Sequence, residues 1–197
     1  KQIEPEKYFV EQFAESRKEI ENPNDELAEQ MLSQGATILP QVQGAVKSLF
    51  GDYEVVATEE ELLEPISDEL DFKGYIDMVL KTPDGKYHIL DWKTCSWGWN
   101  AQKKSSKLMT YQLTLYKKYF CQKHNIDPNN VETYFGLLKR TPKKNNVEIF
   151  RVTSGNKKTE NALKSLNNFV YNVEKGLYFK NRLSCRYCSF YKTENCR

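Results

Sequence analysis

Hydrophobic and polar positions follow two different periods along the chain. Over residues 6–50 the apolar side chains recur at helical intervals, so we predict helices there, with a break at the Asn22-Pro23 pair. Pro40 and two nearby glycines predict a further interruption, which leaves a short last helix that ends near Gly51. The N-terminal part of the chain is therefore expected to be helical.

From residue 53 onward the period becomes that of strands. Three strands are predicted at 53–66, 72–82 and 86–94, and the Pro-Asp-Gly sequence between the last two predicts a tight turn. The rest of the chain is predicted as a helix at 105–125, a hairpin of two strands at 131–141 and 147–153, and an amphipathic helix at 158–179. This order predicts an α/β (α+β) fold in which a mixed β-sheet is flanked by helices.

Composition is that of a polar, folded protein without a disulfide framework. The chain has 197 residues, a net charge of +2 and a mean hydropathy of −0.72, so an anionic partner would have to meet a local basic patch. No apolar run approaches the ~20 residues of a membrane span. The five cysteines are an odd number, and three of them lie in the last thirteen residues. This pattern favours a reducing compartment and a cytoplasmic protein.

Charged residues interrupt two of the apolar strands. Asp77 lies within one strand, and Asp91 and Lys93 close the next. Residues two apart on a strand share a face, and the tight turn makes the two strands neighbours, so Asp77 can approach Asp91. Two close carboxylates raise each other's proton affinity unless a cation lies between them, and such oxygen ligands suit Mg²⁺ or Mn²⁺. The alternative is an ordinary cross-strand ion pair on a solvated face.

These residues belong to three motifs in a fixed order. Gly-Tyr-Ile-Asp at 74–77 is followed by Asp-Trp-Lys at 91–93 and by Gln-Leu-Thr-Leu-Tyr at 112–116. The series resembles the GxxD, DxK and QxxxY motifs of the PD-(D/E)XK nuclease superfamily. More narrowly, it is similar to the RecB-like branch, which includes AddB-type helicase-nucleases, CRISPR adaptation nucleases and phage-type exonucleases. The resemblance implies a restriction-endonuclease-like mixed sheet and a nuclease that uses Mg²⁺ or Mn²⁺.

The resemblance also implies a role for each residue of the first two motifs. Asp77 and Asp91 would bind the metal ion, together with the backbone carbonyl of Trp92. Lys93 would be the catalytic lysine, which aligns the attacking water and offsets charge on the phosphate.

The third motif lies on a predicted helix. Gln112 and Tyr116 are one helical turn apart and therefore face the same way. In the family they line the active site and help to hold the lysine or the DNA backbone. Without the resemblance, the pair would be an ordinary helix surface beside a core aromatic residue.

One feature of RecB-like nucleases is absent from the sequence. These proteins usually carry a metal-binding histidine on the helix before the first strand, and residues 33–49 contain neither a histidine nor an acid. His88 lies on the face opposite to Asp91 by parity, so we expect it to be a packing residue. The residues that could replace the missing ligand are Gln34, Gln41, Glu60, Glu61 and Glu64.

The residues after the lysine suggest a nucleic-acid surface. Trp97 and Trp99 bracket a glycine in a predicted loop, and three lysines follow at Lys103, Lys104 and Lys107. Exposed aromatic side chains can stack on unpaired bases while lysines bind phosphates. The alternative is that both tryptophans fold back onto the core. A second, less specific basic cluster lies in the hairpin turn at Lys139, Arg140, Lys143 and Lys144.

The cysteine-rich end of the chain has three interpretations. Cys185, Cys188 and Cys196 are similar to the C-terminal cysteines with which several RecB-like relatives hold a [4Fe–4S] cluster, although this chain has no cysteine before residue 95 for a fourth ligand. Cys121 and His124, three apart on a helix, could instead form a Zn²⁺ site with the first two tail cysteines. The third interpretation is that the tail binds no metal.

These features together predict a metal-dependent DNA nuclease. We expect an exonuclease of single-stranded DNA or DNA ends that leaves 5′-phosphates and acts in DNA processing, recombination or repair, with recombination or helicase proteins as partners. The host would be a bacterial or phage-infected cell. We expect one domain over 1–197, with a helical part at 1–50, a catalytic core over about 51–155 and a C-terminal helix and tail at 156–197. The alternative is a nucleic-acid-binding or assembly module that keeps the nuclease fold without cleavage.

Overall fold

The structure, a computed structural model, describes residues 4–177 and 182–196. The helices are α1 (Pro5–Lys18), α2 (Asp25–Phe50), α3 (Ala101–Lys104), α4 (Lys107–His124) and α5 (Asn156–Glu174). The strands are β1 (Glu54–Pro65), β2 (Asp71–Lys81), β3 (Tyr87–Cys95), β4 (Val131–Lys139) and β5 (Val147–Val152). Two short 3₁₀ helices span Pro128–Asn130 and Arg182–Tyr187.

The five strands form one sheet in the order β1-β2-β3-β4-β5. The pairs β1–β2, β2–β3 and β4–β5 are antiparallel, whereas β3 and β4 are parallel. A parallel pair needs a long crossover connection, and here α3 and α4 supply it. The predicted α/β fold with a mixed sheet and flanking helices is therefore confirmed.

Helix α2 is continuous, so the predicted interruption at Pro40 is wrong. The helix has 26 residues with Pro40 in its interior, and Gly51 ends it with a positive φ of 68°. Asn24 caps the first turn by accepting a hydrogen bond from the backbone N–H of Leu27 at 2.9 Å. Proline costs a helix one hydrogen bond, but packing of the apolar side of α2 against the sheet outweighs that local cost.

One face of the sheet is covered by α2. Val46 of this helix is buried against Leu80 of β2, Leu90 of β3 and Tyr134 of β4. The other face is covered by α4, whose Tyr119 stacks on a phenylalanine of β2 with 4.3 Å between ring centroids. Strand β3 is therefore enclosed on both faces along its first half.

A glycine in the buried strand β4 makes room for a tryptophan of β3. Gly136 and Trp92 are neighbours in the parallel ladder. A Cβ atom at Gly136 would lie 2.2 Å from Cε3 and 2.3 Å from Cζ3 of Trp92. The indole therefore rests directly on the β4 backbone, which fixes the position of β3 next to Asp91 and Lys93.

The C-terminal part forms a second compact unit. Contacts divide the chain into Lys1–Thr159 and Glu160–Arg197. The predicted last helix is present as α5, and its predicted final residues 178 and 179 lie outside the described residues. The single domain expected over 1–197 stays a prediction. None of the helices within residues 4–177 and 182–196 combines the length and the apolar composition that a membrane span requires.

Alanine substitution at two glycines tests the packing of Trp92. Gly136→Ala should lower the free energy of unfolding by about 1–3 kcal/mol, because the new methyl group overlaps the indole. Gly44→Ala is the matched control, since its Cβ position in α2 meets nothing within 4 Å apart from the adjacent residues and the local helix backbone, and it should raise stability by about 0.5–1 kcal/mol. Urea unfolding measures both changes. Equal stability of Gly136→Ala and the wild type would mean that the indole does not rest on β4.

Candidate active site

The site begins where β2 and β3 stop pairing. Their ladder runs from Lys81–Tyr87 to Met78–Leu90. Beyond this point the backbone N–H of Trp92 donates to Oδ2 of Asp77, with 2.6 Å between nitrogen and oxygen. A continued ladder would have used a backbone carbonyl of β2 as the acceptor. The Asp77 carboxylate thus takes the place of the missing strand pairing and holds the end of β3.

Asp91 and Lys93 extend from the same face of β3, as their spacing predicted. Asp91 is only 1% exposed, and its Oδ2 lies 2.6 Å from Nζ of Lys93. The angles of this contact fall outside those of a directed hydrogen bond, so the buried Oδ2 has an ion-pair partner but no well-aligned donor. The alternative of a solvated surface ion pair is wrong for Asp91, because its carboxylate is buried.

Burial raises the pKa of Asp91 above its ordinary value. The neighbouring Lys93 ammonium acts in the opposite direction, and the charge of Asp77 raises this pKa further. Asp91 thus lies beside one further carboxylate and one ammonium group, and a cation bound between the two carboxylates would favour its ionised form.

The oxygen donors present fit a hard divalent cation. The N–H and C=O of a strand residue point to the same edge, so the carbonyl of Trp92 faces the gap that Asp77 occupies. Two carboxylates and a carbonyl suit Mg²⁺ or Mn²⁺, and Mg²⁺ usually keeps several waters with only one or two carboxylates. Within residues 4–177 and 182–196, no group of three or more His, Cys, Asp or Glu side chains is placed to hold a metal ion.

The third motif is joined to the first through a glycine. Nε2 of Gln112 donates to the hydroxyl of Tyr116 at 3.0 Å, so these two residues form one unit on α4. A Cβ atom at Gly74 would lie 2.8 Å from Cε1 of Tyr116. The buried tyrosine ring therefore lies against the β2 backbone, and Gly74 is needed for this close approach. Three residues further along the same strand is Asp77.

The residues considered as replacements for the missing histidine are mostly engaged elsewhere. Gln41 donates to Oδ1 of Asn146 at 2.9 Å and accepts from its backbone N–H at 3.0 Å. Oε1 of Gln34 is buried without a hydrogen-bond partner. Both amides lie on α2, which covers the face of β3 opposite to Asp91.

The three glutamates of β1 also have partners. Glu60 binds Lys123 at 2.7 Å and His124 at 2.8 Å, and although burial raises its pKa, these two contacts lower it overall. Glu61 accepts from the hydroxyl of Tyr75 at 2.9 Å, and Glu64 accepts from a glutamine of α4 at 3.1 Å. These contacts join β1 to α4 and β2, and they do not add a further metal ligand to Asp77 and Asp91.

His88 is buried on the side of β3 that packs against α2, as expected of a packing residue. Its ring lies 4.7 Å from that of Phe50 and 5.7 Å from that of Tyr134, between centroids. Its Nε2 lies 2.9 Å from the hydroxyl of Thr82. Burial lowers the pKa of His88.

The two tryptophans after β3 have different environments. Trp97 is 70% exposed, whereas Trp99 is 8% exposed and packs against Phe135 and Phe150 at 5.1 and 6.2 Å between ring centroids. Nζ of Lys103 lies over the Trp99 ring at 4.7 Å. The expectation that both indoles are available to bases is wrong for Trp99, because its apolar ring is part of the core.

The predicted lysines also separate into two kinds. Lys103 and Lys107 are exposed. Lys104 forms an ion pair with Glu148 of β5, and the same carboxylate lies 3.7 Å from Lys139. Two of the predicted cations are therefore paired with an acid that sequence spacing could not identify.

Two residues that sequence analysis did not assign also shape this region. Gly136 supports Trp92, and a glycine within an apolar strand is a recognisable signal of close backbone approach. Asn146 is 1% exposed and anchors the β4–β5 turn to Gln41 of α2. No sequence signal identifies that pair, because its members lie 105 residues apart.

The cysteine residues give no support to an iron–sulfur or zinc site. All five are free, and Cys188 and Cys196 are exposed. Burial raises the pKa of Cys121 to about 11, so its thiol stays protonated, and His124 is engaged with a glutamate. Zinc binds cysteine as the thiolate, and burial makes the thiolate of Cys121 harder to form.

The raised pKa of Asp91 predicts a pH-dependent stability in EDTA. A carboxyl group whose pKa is higher in the folded state contributes stability that is full below its unfolded pKa and is lost as the pH rises through its folded pKa. We therefore expect the free energy of unfolding of the wild type, relative to Asp91→Asn, to fall as the pH rises above the ordinary carboxyl pKa of about 4. Urea unfolding at several pH values measures this difference. A constant difference would contradict the burial of an ionisable carboxyl group.

Comparison with known proteins identifies the family. The profile of the PD-(D/E)XK nuclease superfamily matches residues 4–193. A crystal structure from Eubacterium rectale, named as a "Putative exonuclease", is similar with a TM-score of 0.60 and 14% identity, over 93% of this chain and 69% of the other. The crystal structure of SSO0001 has a TM-score of 0.46 and 17% identity, over 93% of this chain and 92% of the other. No curated protein matches the sequence. The fold, the aspartate pair with its lysine and the match over nearly the whole length lead to one conclusion: the chain belongs to the PD-(D/E)XK nuclease superfamily.

Proposed function

We propose that the protein is a metal-dependent deoxyribonuclease of the RecB-like type, which hydrolyses phosphodiester bonds in single-stranded DNA or at DNA ends. The observation that carries the proposal is the buried Asp91, paired with Lys93 and adjacent to Asp77 at the point where β2 and β3 separate. Membership of the nuclease superfamily supports the same chemistry.

In this proposal Asp77, Asp91 and the carbonyl of Trp92 hold one or two Mg²⁺ or Mn²⁺ ions. When bound, such an ion lowers the pKa of water and polarises the phosphate. The protein contributes the fixed geometry, since Asp77 is already held by the Trp92 amide. That hydrogen bond joins a charged acceptor to a backbone donor and is worth about 1.5–3 kcal/mol.

Lys93 orients the attacking water and offsets negative charge on the phosphate. Its ammonium group is 2.6 Å from Asp91 and partly exposed, with 29% of its side chain accessible, so it can face a substrate and the buried acid together. Gln112 and Tyr116, joined by their hydrogen bond, complete the wall of the site on α4.

The preference for single strands or ends is proposed from Trp97. Its indole is largely exposed only a few residues beyond Lys93, with Lys103 and Lys107 exposed nearby in the chain. An exposed aromatic ring stacks on an unpaired base and gains little from a closed duplex. Lys104 and Trp99 contribute instead to packing, through Glu148 and the aromatic core.

The expected place of action is the cytoplasm of a bacterial or phage-infected cell, in DNA processing, recombination or repair. A helicase or recombination protein that produces unpaired ends would be a suitable partner. The free cysteines are compatible with a reducing compartment.

A cleavage assay with end-labelled DNA tests the enzymatic proposal. With Mn²⁺ or Mg²⁺, the wild type should shorten single-stranded DNA and leave 5′-phosphates. Asp91→Asn should lower the rate by at least about 100-fold, because it removes a metal-binding charge worth several kcal/mol in the transition state.

Asp68→Asn is the matched control, since this carboxylate is exposed in the β1–β2 turn. It should cleave at the wild-type rate. Full activity of Asp91→Asn would show that Asp91 is not part of the active site. Binding of DNA without cleavage by the wild type, across several divalent metals, would favour the non-cleaving module, for which the absence of a histidine from residues 33–49 is the supporting observation.

Substitution of the exposed indole tests strand preference. Trp97→Ala should weaken binding of single-stranded DNA by about tenfold in EDTA, because one stacking contact is lost. Leu63→Ala removes another exposed apolar side chain, on β1, and should leave the affinity unchanged. Fluorescence anisotropy with a labelled oligonucleotide measures both. An unchanged affinity of Trp97→Ala would show that the exposed indole does not contact the DNA.

A further inference from the structure

One strand residue has a left-handed backbone. Glu59 of β1 has a φ of 50°. Within the five strands of the described residues it is the only residue with a positive φ, since the others lie in loops, in turns or at helix ends. Glutamate rarely adopts this conformation, because its Cβ atom crowds the following carbonyl oxygen. The conformation therefore needs support from the surrounding structure.

The side chain of Glu59 does not supply that support. Its carboxylate is exposed, and no hydrogen bond or ion pair holds it among residues 4–177 and 182–196. By contrast, Asn125 is left-handed at the end of α4 and Asn145 in the β4–β5 turn, which are places where asparagine often adopts this conformation. The reason for the conformation of Glu59 must therefore lie in the pairing of its strand.

Glu59 lies opposite Asp77 of β2. The β1–β2 ladder pairs the residues just before and just after these two, but it contains no pair between Glu59 and Asp77 themselves. The ladder between β2 and β3 also ends one residue away, at Met78. At Asp77, strand β2 thus has no ladder partner on either side.

Strand β2 also changes faces at this point. Phe72 and Gly74 face the tyrosines of α4. Met78 instead packs with Val46 of α2, on the other face of the sheet. Alternate residues of a regular strand share one face, so even-numbered residues of β2 would all face the same helix if the strand were regular. The backbone of β2 is therefore rotated between Gly74 and Met78, and Asp77 lies within the rotated part.

The rotation explains how a side chain of β2 reaches the backbone of β3. In a regular sheet the N–H of Trp92 points along the plane of the sheet, whereas side chains stand roughly perpendicular to that plane. The Asp77 carboxylate nevertheless accepts from this N–H at 2.6 Å. It can do so because β2 turns at Asp77 and directs the side chain toward β3.

Strand β1 has to accommodate this rotation. A regular residue opposite Asp77 would exchange ladder hydrogen bonds with it and hold β2 in its regular course. The left-handed backbone of Glu59 turns β1 aside at the same level, which leaves β2 free to rotate. Local irregularities of paired strands commonly redirect a side chain next to an active site.

We infer that the left-handed backbone of Glu59 positions Asp77 for the reaction by letting β2 rotate toward β3. Glu59 is thus a positioning residue, and its carboxylate takes no part. This inference rests on the proposed nuclease function and adds to it the reason why the Asp77 carboxylate faces the end of β3. Replacing a residue that orients a metal ligand typically changes metal affinity or activity by about 10–100-fold.

A pair of glycine substitutions tests the backbone conformation. Glycine adopts a positive φ without strain but weakens a regular strand. Glu59→Gly should therefore unfold at the same urea concentration as the wild type or at a higher one. Thr58→Gly, at the exposed regular position beside it, should unfold at a lower one. Equal destabilisation by both variants would overturn the role of a left-handed residue at position 59.

Hydrogen exchange of the Trp92 amide, measured by NMR in EDTA, tests the positioning of Asp77. Valine is β-branched and strongly disfavours a positive φ, so Glu59→Val should restore regular pairing and turn Asp77 away. Protection of the Trp92 amide should then fall by about tenfold or more, toward its value in Asp77→Ala. Thr58→Val is the matched control and should keep wild-type protection. The amide of Leu90, within the β2–β3 ladder, should stay protected in every folded variant.

Mn²⁺ binding and DNA cleavage connect this positioning to the site. Isothermal titration calorimetry should give a dissociation constant for Mn²⁺ that is about tenfold or more higher in Glu59→Val, and the cleavage rate should fall with it. Glu59→Gln removes the charge but keeps an unbranched side chain, so its Mn²⁺ affinity, cleavage rate and Trp92 protection should equal those of the wild type. Loss of any of these in Glu59→Gln would overturn the inference, because the carboxylate itself would then be required.

Failure of this inference and failure of the proposed function give different results. Wild-type protection of Trp92 in a folded Glu59→Val overturns the inference, even if the protein cleaves DNA. If Glu59→Val does not fold, Glu59→Asn and Glu59→Ala take its place, since asparagine tolerates a positive φ better than alanine. Equal protection in those two variants would then overturn it. Protection of Trp92 that depends on residue 59, in a protein that never cleaves DNA, would support the positioning of Asp77 and overturn the nuclease proposal.

Discussion

The hydrogen bond from the Trp92 amide to the Asp77 carboxylate is the contact on which the candidate site depends. Backbone pairing between β2 and β3 ends at Met78–Leu90, so the end of β3 would otherwise lack a partner on that side. The carboxylate supplies the missing acceptor. It also brings a negative charge to within hydrogen-bonding distance of the peptide that joins Asp91 to Trp92. One interaction therefore satisfies a partly buried donor, directs the end of β3 and brings Asp77 next to Asp91.

The rest of the sheet maintains this arrangement from both faces. Trp92 can approach β4 closely because residue 136 is a glycine, and Tyr116 can approach β2 closely because residue 74 is a glycine. Each aromatic ring presses on one strand next to the gap in pairing. Asp91 is buried beside this gap, and burial raises its pKa because an ionised carboxylate away from water loses solvation.

In the segment after β3, some of the charged and aromatic side chains pack inward and others are exposed. Trp99 and Lys104 pack inward, one against phenylalanines and the other against Glu148, while Trp97 is exposed. The β4–β5 turn joins this segment through backbone hydrogen bonds, which places Arg140 beside Ser96. Two basic clusters that are separate in the sequence thus form one edge of the molecule, next to the carboxyl ends of the parallel strands.

The sequence by itself determined the order of the elements and the composition of the acidic site. Alternation and turn residues predicted β1–β5, and the two-residue spacing of Asp91 and Lys93 required a shared face, since both signals depend only on local backbone geometry. Tertiary packing alone decided that Pro40 stays within a helix and that Trp99 is buried. It also decided that Glu148 neutralises Lys104 and that Gln41 holds Asn146. These outcomes depend on contacts between side chains that are far apart in the chain, and the free energy of those contacts exceeds the local secondary-structure preference. No local sequence pattern predicts them.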